Sequence, residues 1–136
     1  MCKPRSVITK TMVTTKNIKT VFEFFTDIKN WELGGALKNI QRDKDDWWVC
    51  DSAFGKAKIR LRHNREFGIL DNDFIGGGGE WAVSCRVTPN EEGSTVTWLF
   101  IRPEPMTDEQ FESQLKNFDV EINGWKNALE SPCPDT

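Results

Sequence analysis

Apolar and polar positions change their spacing three times along the chain. Residues 7–15 alternate and are rich in Thr, Val and Ile, which predicts a strand. Asn17 follows as a helix cap, and Ile18, Val21, Phe22, Phe25 and Ile28 then recur at helical spacing. Asn30, Gly34 and Gly35 are expected to stop or bend that helix, with a second helical turn through Trp31. From residue 37 onwards the period is two, predicting strands at 37–42, 47–52, 56–64, 68–75, 80–88 and 94–102. The breaks fall at 43–46, 54–55, 65–66, 76–79 (read as a flexible loop) and 89–93, and carry Asp, Gly or Pro or a reversal of the alternation. Six strands joined by such short loops make an antiparallel meander. Pro103 and Pro105 end it, and Thr107 with Gln110 forms a capping box. Phe111, Leu115, Phe118, Ile122, Trp125 and Leu129 then mark one face of a helix of about five turns.

The alternation also suggests which positions pair. In 56–64, Ala57, Ile59 and Leu61 are apolar while Lys56, Lys58, Arg60 and Arg62 are charged. A turn centred between Arg65 and Glu66 sets Ile59 opposite Asn72, Leu61 opposite Leu70 and Ala57 opposite Phe74. On the other face Arg60 then meets Asp71 and Lys58 meets Asp73, each pair contributing about 0.2–1 kcal/mol. In the last hairpin Val87 is expected opposite Val96, Cys85 opposite Trp98 and Val83 opposite Phe100, which gives a densely aromatic inner face.

Charge changes this picture little. Residues 1–65 carry fourteen Lys/Arg against seven Asp/Glu, and residues 66–136 carry four against fourteen, for a net of −3. Strand pairing between the halves accounts for part of the split, an interaction surface being the other reading, and the acidic balance argues against a nucleic-acid partner. The 136 residues suit one domain, 1–136, with 131–136 as a tail. No apolar run is long enough for stable membrane insertion, and no apolar leader opens the chain. Cys2, Cys50, Cys85 and Cys133 lack metal-ligand spacing, so no metal and no cofactor is expected. Cys50 and Cys85 read as buried thiols, a Cys2–Cys133 disulfide between the tails is conceivable, and a reduced, cytoplasmic protein is the expectation. Nine Phe, six Trp and no Tyr in so small a chain point to enclosure of something apolar rather than to catalysis.

With the element order above, three stretches carry a family likeness. They are Phe67-Gly68-Ile69-Leu70-Asp71, then Glu80-Trp81 with Cys85-Arg86-Val87-Thr88-Pro89-Asn90, then Phe100-Ile101-Arg102-Pro103. Over nearly its whole length the chain resembles the helix-grip superfamily of START, Bet v 1-like and polyketide cyclase-like (SRPBCC) proteins. The resemblance implies an α+β fold: a seven-stranded curved antiparallel sheet wrapped around a long C-terminal helix, with one or two short helices after the first strand. It also implies a cavity between sheet and helix that holds an apolar or amphipathic small molecule.

Each candidate side chain has a structural reading beside the functional one. His63, in register with Ala57, Ile59 and Leu61, is either an acid–base or hydrogen-bonding group or a strand-end histidine wetted by solvent. Asn72 faces inward and bonds to backbone, water or ligand. Arg102 anchors an anionic head at the cavity mouth or pairs with Asp108 or Glu109. Trp81, Trp98, Phe100, Phe118 and Ile122 are ligand walls or plain core. One indole of Trp47 and Trp48 must face outwards, and Glu32 is a weaker acid–base candidate near the entrance. The leading expectation is binding or transport of a hydrophobic small molecule, by a monomer or homodimer. The rivals are a cyclase or dehydratase in which His63 moves protons, and a protein-interaction module using the exposed indole and the charge-split surface.

Overall fold

The computed structural model describes residues 3–131. Strand β1 spans Val7–Thr14, helix α1 Ile18–Thr26 and a 3-10 helix, η1, Ile28–Gly34. Strands β2 (Lys38–Arg42), β3 (Trp47–Ser52), β4 (Gly55–Asn64), β5 (Ile69–Gly76), β6 (Gly79–Asn90) and β7 (Gly93–Ile101) follow, and helix α2 covers Asp108–Glu130. All seven strands form one antiparallel sheet in the order β1-β7-β6-β5-β4-β3-β2. The first strand therefore closes onto the last, and α2 lies over the inner face.

Local chemistry sets the helix ends as expected. Asn17 accepts the Thr20 N–H at 2.9 Å, so α1 begins where an orphan donor is satisfied. Thr107 and Gln110 exchange the two bonds of a capping box at the start of α2. Asp27 ends α1 and accepts the Lys29 N–H, so the predicted second helical turn through Trp31 is a separate 3-10 segment.

Three local expectations are corrected. The β4–β5 pairing is shifted by two residues: Ile59 faces Phe74, Arg60 faces Asp73, Leu61 faces Asn72 and His63 faces Leu70. The loop between them holds Arg65 to Gly68, with the Gly68 N–H bonded to Arg65 O and Gly68 at φ +67°, a left-handed conformation that favours glycine. That geometry centres the turn between Glu66 and Phe67. A shift of two keeps every side chain on its expected face, so Arg60, Arg62, Asp71 and Asp73 still form the outer charge ladder. Second, Pro89 belongs to β6, opposite Ser94, and the β6–β7 turn contains only Glu91 and Glu92. The Val87 N–H, two residues earlier and pointing the same way, reaches Gly68 O, where β5 has already given way to its loop. The missing N–H of Pro89 thus faces no strand and costs nothing. Third, residues 76–79 form a tight two-residue turn through Gly77 and Gly78, both at positive φ, with Gly77 O accepting a bond from Gln114 Nε2 of α2 at 2.7 Å.

In the last hairpin Cys85 faces Trp98 and Val87 faces Val96, as the alternation predicts. Cys50 and Cys85 are buried free thiols; Cys2 and Cys133, and the tail beyond residue 131, lie outside the described residues. Charge pairs do cross between the two halves, as Arg60–Asp73 at 2.8 Å and Lys10–Asp119 at 3.0 Å show. Trp47 is the outward indole, and the Arg60 guanidinium opposite it sits 4.7 Å from its ring centre and shields it. Among the described residues no helix is long and apolar enough to cross a membrane.

The buried side chains form two groups. A smaller one, Ile28, Trp31, Leu37, Ile40, Cys50, Ala57 and Ile59, fills the end of the sheet near β2. The larger one joins the inner faces of β5–β7 and β1 to α1 and α2. Helix α2 meets η1 backbone to backbone. A Cβ on Gly124 would lie 2.8 Å from Leu33 O and 2.9 Å from the Gly34 Cα, so only glycine permits this approach. Trp125 Nε1 donates to Trp31 O at 3.0 Å beside it and fixes the crossing point.

Candidate functional site

The curvature of the sheet leaves a cavity under α2, with about 90 Å³ open to the centres of water molecules. At about 10–15 Å³ per water on that measure, this is roughly the room of six to nine waters. Nine of its twenty lining residues are Phe or Trp. Phe25 of α1 and Trp31 of η1 close one end, Phe74, Trp81, Trp98 and Phe100 rise from β5, β6 and β7, and Phe118 and Trp125 descend from α2. The rings brace one another: Trp98 stacks on Trp125 at 5.9 Å, and Phe100 meets Phe118 edge-on at 4.6 Å. Such contacts hold the walls in preferred geometry. Ser52 and Phe54, at the β3–β4 turn, and Gln114 and Asn117 of α2 also line it.

Six of the eight side chains singled out by the sequence lie on this cavity: His63, Asn72, Trp81, Trp98, Phe100 and Phe118. Two do not line it. Arg102 pairs with Asp108 at the start of α2, the structural reading of that residue. Ile122 is half-buried and packs against the main core beside the cavity. Glu32 is engaged elsewhere, accepting the Ile40 N–H at 3.0 Å.

The polar groups are few and mostly neutral. His63 is half-buried, its Nδ1 lies 3.1 Å from Thr26 Oγ1, and Phe22 meets the ring edge-on. Burial lowers its pKa to about 4, and the distant Asp71 charge opposes this only in part, so the imidazole is neutral at pH 7. Among the described residues its Nε2 has no hydrogen-bond partner, and the same holds for the Trp81 Nε1–H. Asn72 is buried and donates weakly to Leu70 O at 3.4 Å, the backbone reading of that side chain. Burial also drives the Cys85 thiol well above its ordinary pKa, so it is a protonated wall group rather than a nucleophile.

Glu121 is a cavity-lining acid that the sequence pattern did not disclose. It sits on α2 among the lining residues, only 8% exposed, with no neighbouring charge or side-chain hydrogen bond among the described residues to offset its burial. Burial pushes its pKa up to about 8. The available signal was its place on the helix, three residues after Phe118 and four before Trp125, both on the aromatic stripe. No three His, Cys, Asp or Glu among the described residues are grouped so as to share a metal ion.

No family model matches the chain, and no curated protein matches it. Solved structures do. The chain superposes on Ara h 8.0201 with a TM-score of 0.74 at 10% identity, covering 93% of this chain and 99% of that one. Against protein CV1439 from Chromobacterium violaceum the TM-score is 0.71 at 12% identity, with 95% and 100% covered. CalU16 from Micromonospora echinospora gives 0.67 at 11% identity, with 94% and 77% covered. At such identities the likeness concerns architecture alone. The sheet, its strand order and the helix it grips are those of the helix-grip fold shared by Bet v 1-like and polyketide cyclase-like proteins.

Proposed function

We propose that this protein binds a hydrophobic small molecule, of aromatic, polyketide or lipid type, in the cavity between the sheet and α2. The observation that carries the reading is an aromatic-walled space of about 90 Å³ inside an otherwise close-packed core. Removing apolar guest surface from water at about 25 cal/mol per Å² supplies the driving force. Binding sites for drug-sized ligands run to roughly 300–1,000 Å³, so this space favours a one- or two-ring guest, or a longer one for which side chains move aside. His63, Asn72, Trp81, Trp98, Phe100 and Phe118 are the proposed contacts, with His63 and Asn72 orienting the guest. The cyclase or dehydratase reading fares less well, because a histidine held near 4 is a weak base at neutral pH.

The test fills the space from within. Val83 lines the cavity from β6, and Val83→Phe pushes a ring into it. Fluorine NMR with fluorobenzene should show saturable binding to the parent and at least about tenfold weaker binding to the variant, since the guest loses its volume. Equal binding to both proteins overturns the proposal.

A further inference from the structure

We propose that the preferred guest is an organic cation, an arylalkylamine in its ammonium form or a quaternary ammonium, held between the indole and phenyl faces of the cavity with the Glu121 carboxylate as its counter-charge. The inference rests on the binding reading above and names the chemical class of the guest.

Three observations converge on it. Glu121 is the sole acid among the described residues that line the cavity, it is over nine-tenths buried, and no neighbouring charge or side-chain hydrogen bond among them offsets that burial. A carboxyl placed so is costly unless something pairs with it. No Lys or Arg shares the lining, and the other titratable groups there, His63 and Cys85, are uncharged at neutral pH. Among the described residues, the lining therefore supplies no cation to this acid. Around it, Phe118 and Trp125 flank Glu121 on the same face of α2, and Trp31 and Trp98 pack on Trp125 at 6.2 and 5.9 Å. Aromatic faces attract a desolvated cation through their quadrupoles, and Trp does so best. A wall of indoles with one unpaired acid, which ionises when a cation enters beside it, thus complements an ammonium better than it does an alcohol or a carboxylate. The size of the space favours a single-ring or compact two-ring carrier for that ammonium.

Calorimetry with matched probes separates the possibilities. At about pH 8, where roughly half of the Glu121 carboxyls are ionised, phenethylamine is compared with 2-phenylethanol on the intact protein. The amine should bind at least about tenfold tighter, and Glu121→Gln should abolish that preference while leaving the alcohol's affinity within about twofold. Phenyltrimethylammonium against tert-butylbenzene repeats the comparison on the parent alone, so the result stands even if the variant misfolds. Equal affinities, or a preference for the neutral member of each pair, overturn the cation assignment and leave the apolar-guest reading intact. Failure of all four probes to bind overturns both.

Discussion

Glu121 shows how one side chain sets the terms for its surroundings. An acid whose pKa rises from 4.5 to about 8 on folding binds its proton more tightly in the native state than in the unfolded one. Stability is then fully present below pH 4.5 and declines as pH climbs through 8, by about 5 kcal/mol at most for this group. Glu121→Gln removes the charge but keeps the shape. Urea unfolding at pH 9 should find the variant more stable than the parent by several kcal/mol, with a much smaller difference at pH 4.5. A parent that is equally stable at both pH values would contradict the burial of this carboxyl. The residue was hard to read from sequence because Ile122, its neighbour, completes an equally good apolar stripe with Phe118 and Trp125. Only the packing of α2 on η1 rotates the helix so that Glu121, rather than Ile122, meets the cavity.

At the scale of elements, the α2–η1 crossing tests local propensity against packing. Glycine within a helix costs roughly 0.5–1 kcal/mol relative to alanine, so Gly124→Ala should stabilise an isolated α2. In the folded protein the added Cβ meets Leu33 O and the Gly34 Cα at under 3 Å, backbone that cannot step aside cheaply. Overpacking of this kind costs about 1–3 kcal/mol and should win. Thermal unfolding of Gly124→Ala should therefore show a lower Tm than the parent; an unchanged or higher Tm would mean that the helix does not press on η1. The sheet was legible for the complementary reason: period-two alternation assigns faces whatever the exact pairing. The two-residue slip between β4 and β5 went undetected because Arg60 finds an acid at either Asp71 or Asp73. The decisive feature, the left-handed Gly68, looks in sequence like the first residue of a strand.

For the whole molecule, Glu121 and His63 act in opposition. His63 falls from 6.5 to about 4 on folding, so its contribution is present above pH 6.5 and is lost as pH falls towards 4. Between pH 4.5 and 6.5 the native state holds the extra proton of Glu121 and lacks that of His63, and the two slopes cancel. Unfolding free energy measured by urea should be nearly level across that interval. It should decline above it through Glu121 and decline below it as His63 and the ion-paired Asp73 lose their favourable states. A maximum near pH 8 would be incompatible with this pair of burials. The architecture could be reached from the chain because seven strands, two capped helices and their order leave few ways to close a sheet around a helix. The chemistry of the cavity could not, since it depends on which flank of α2 turns inward.

The ring-lined interior has an optical consequence. The chain contains no Tyr, so its emission excited beyond the phenylalanine band comes from six indoles alone, and four of them, Trp31, Trp81, Trp98 and Trp125, border the cavity. Trp98 and Trp125 lie nearly parallel, close enough to exchange excitation. Any molecule that enters must therefore disturb most of the protein's fluorophores at once, giving an unlabelled spectral signal of occupancy.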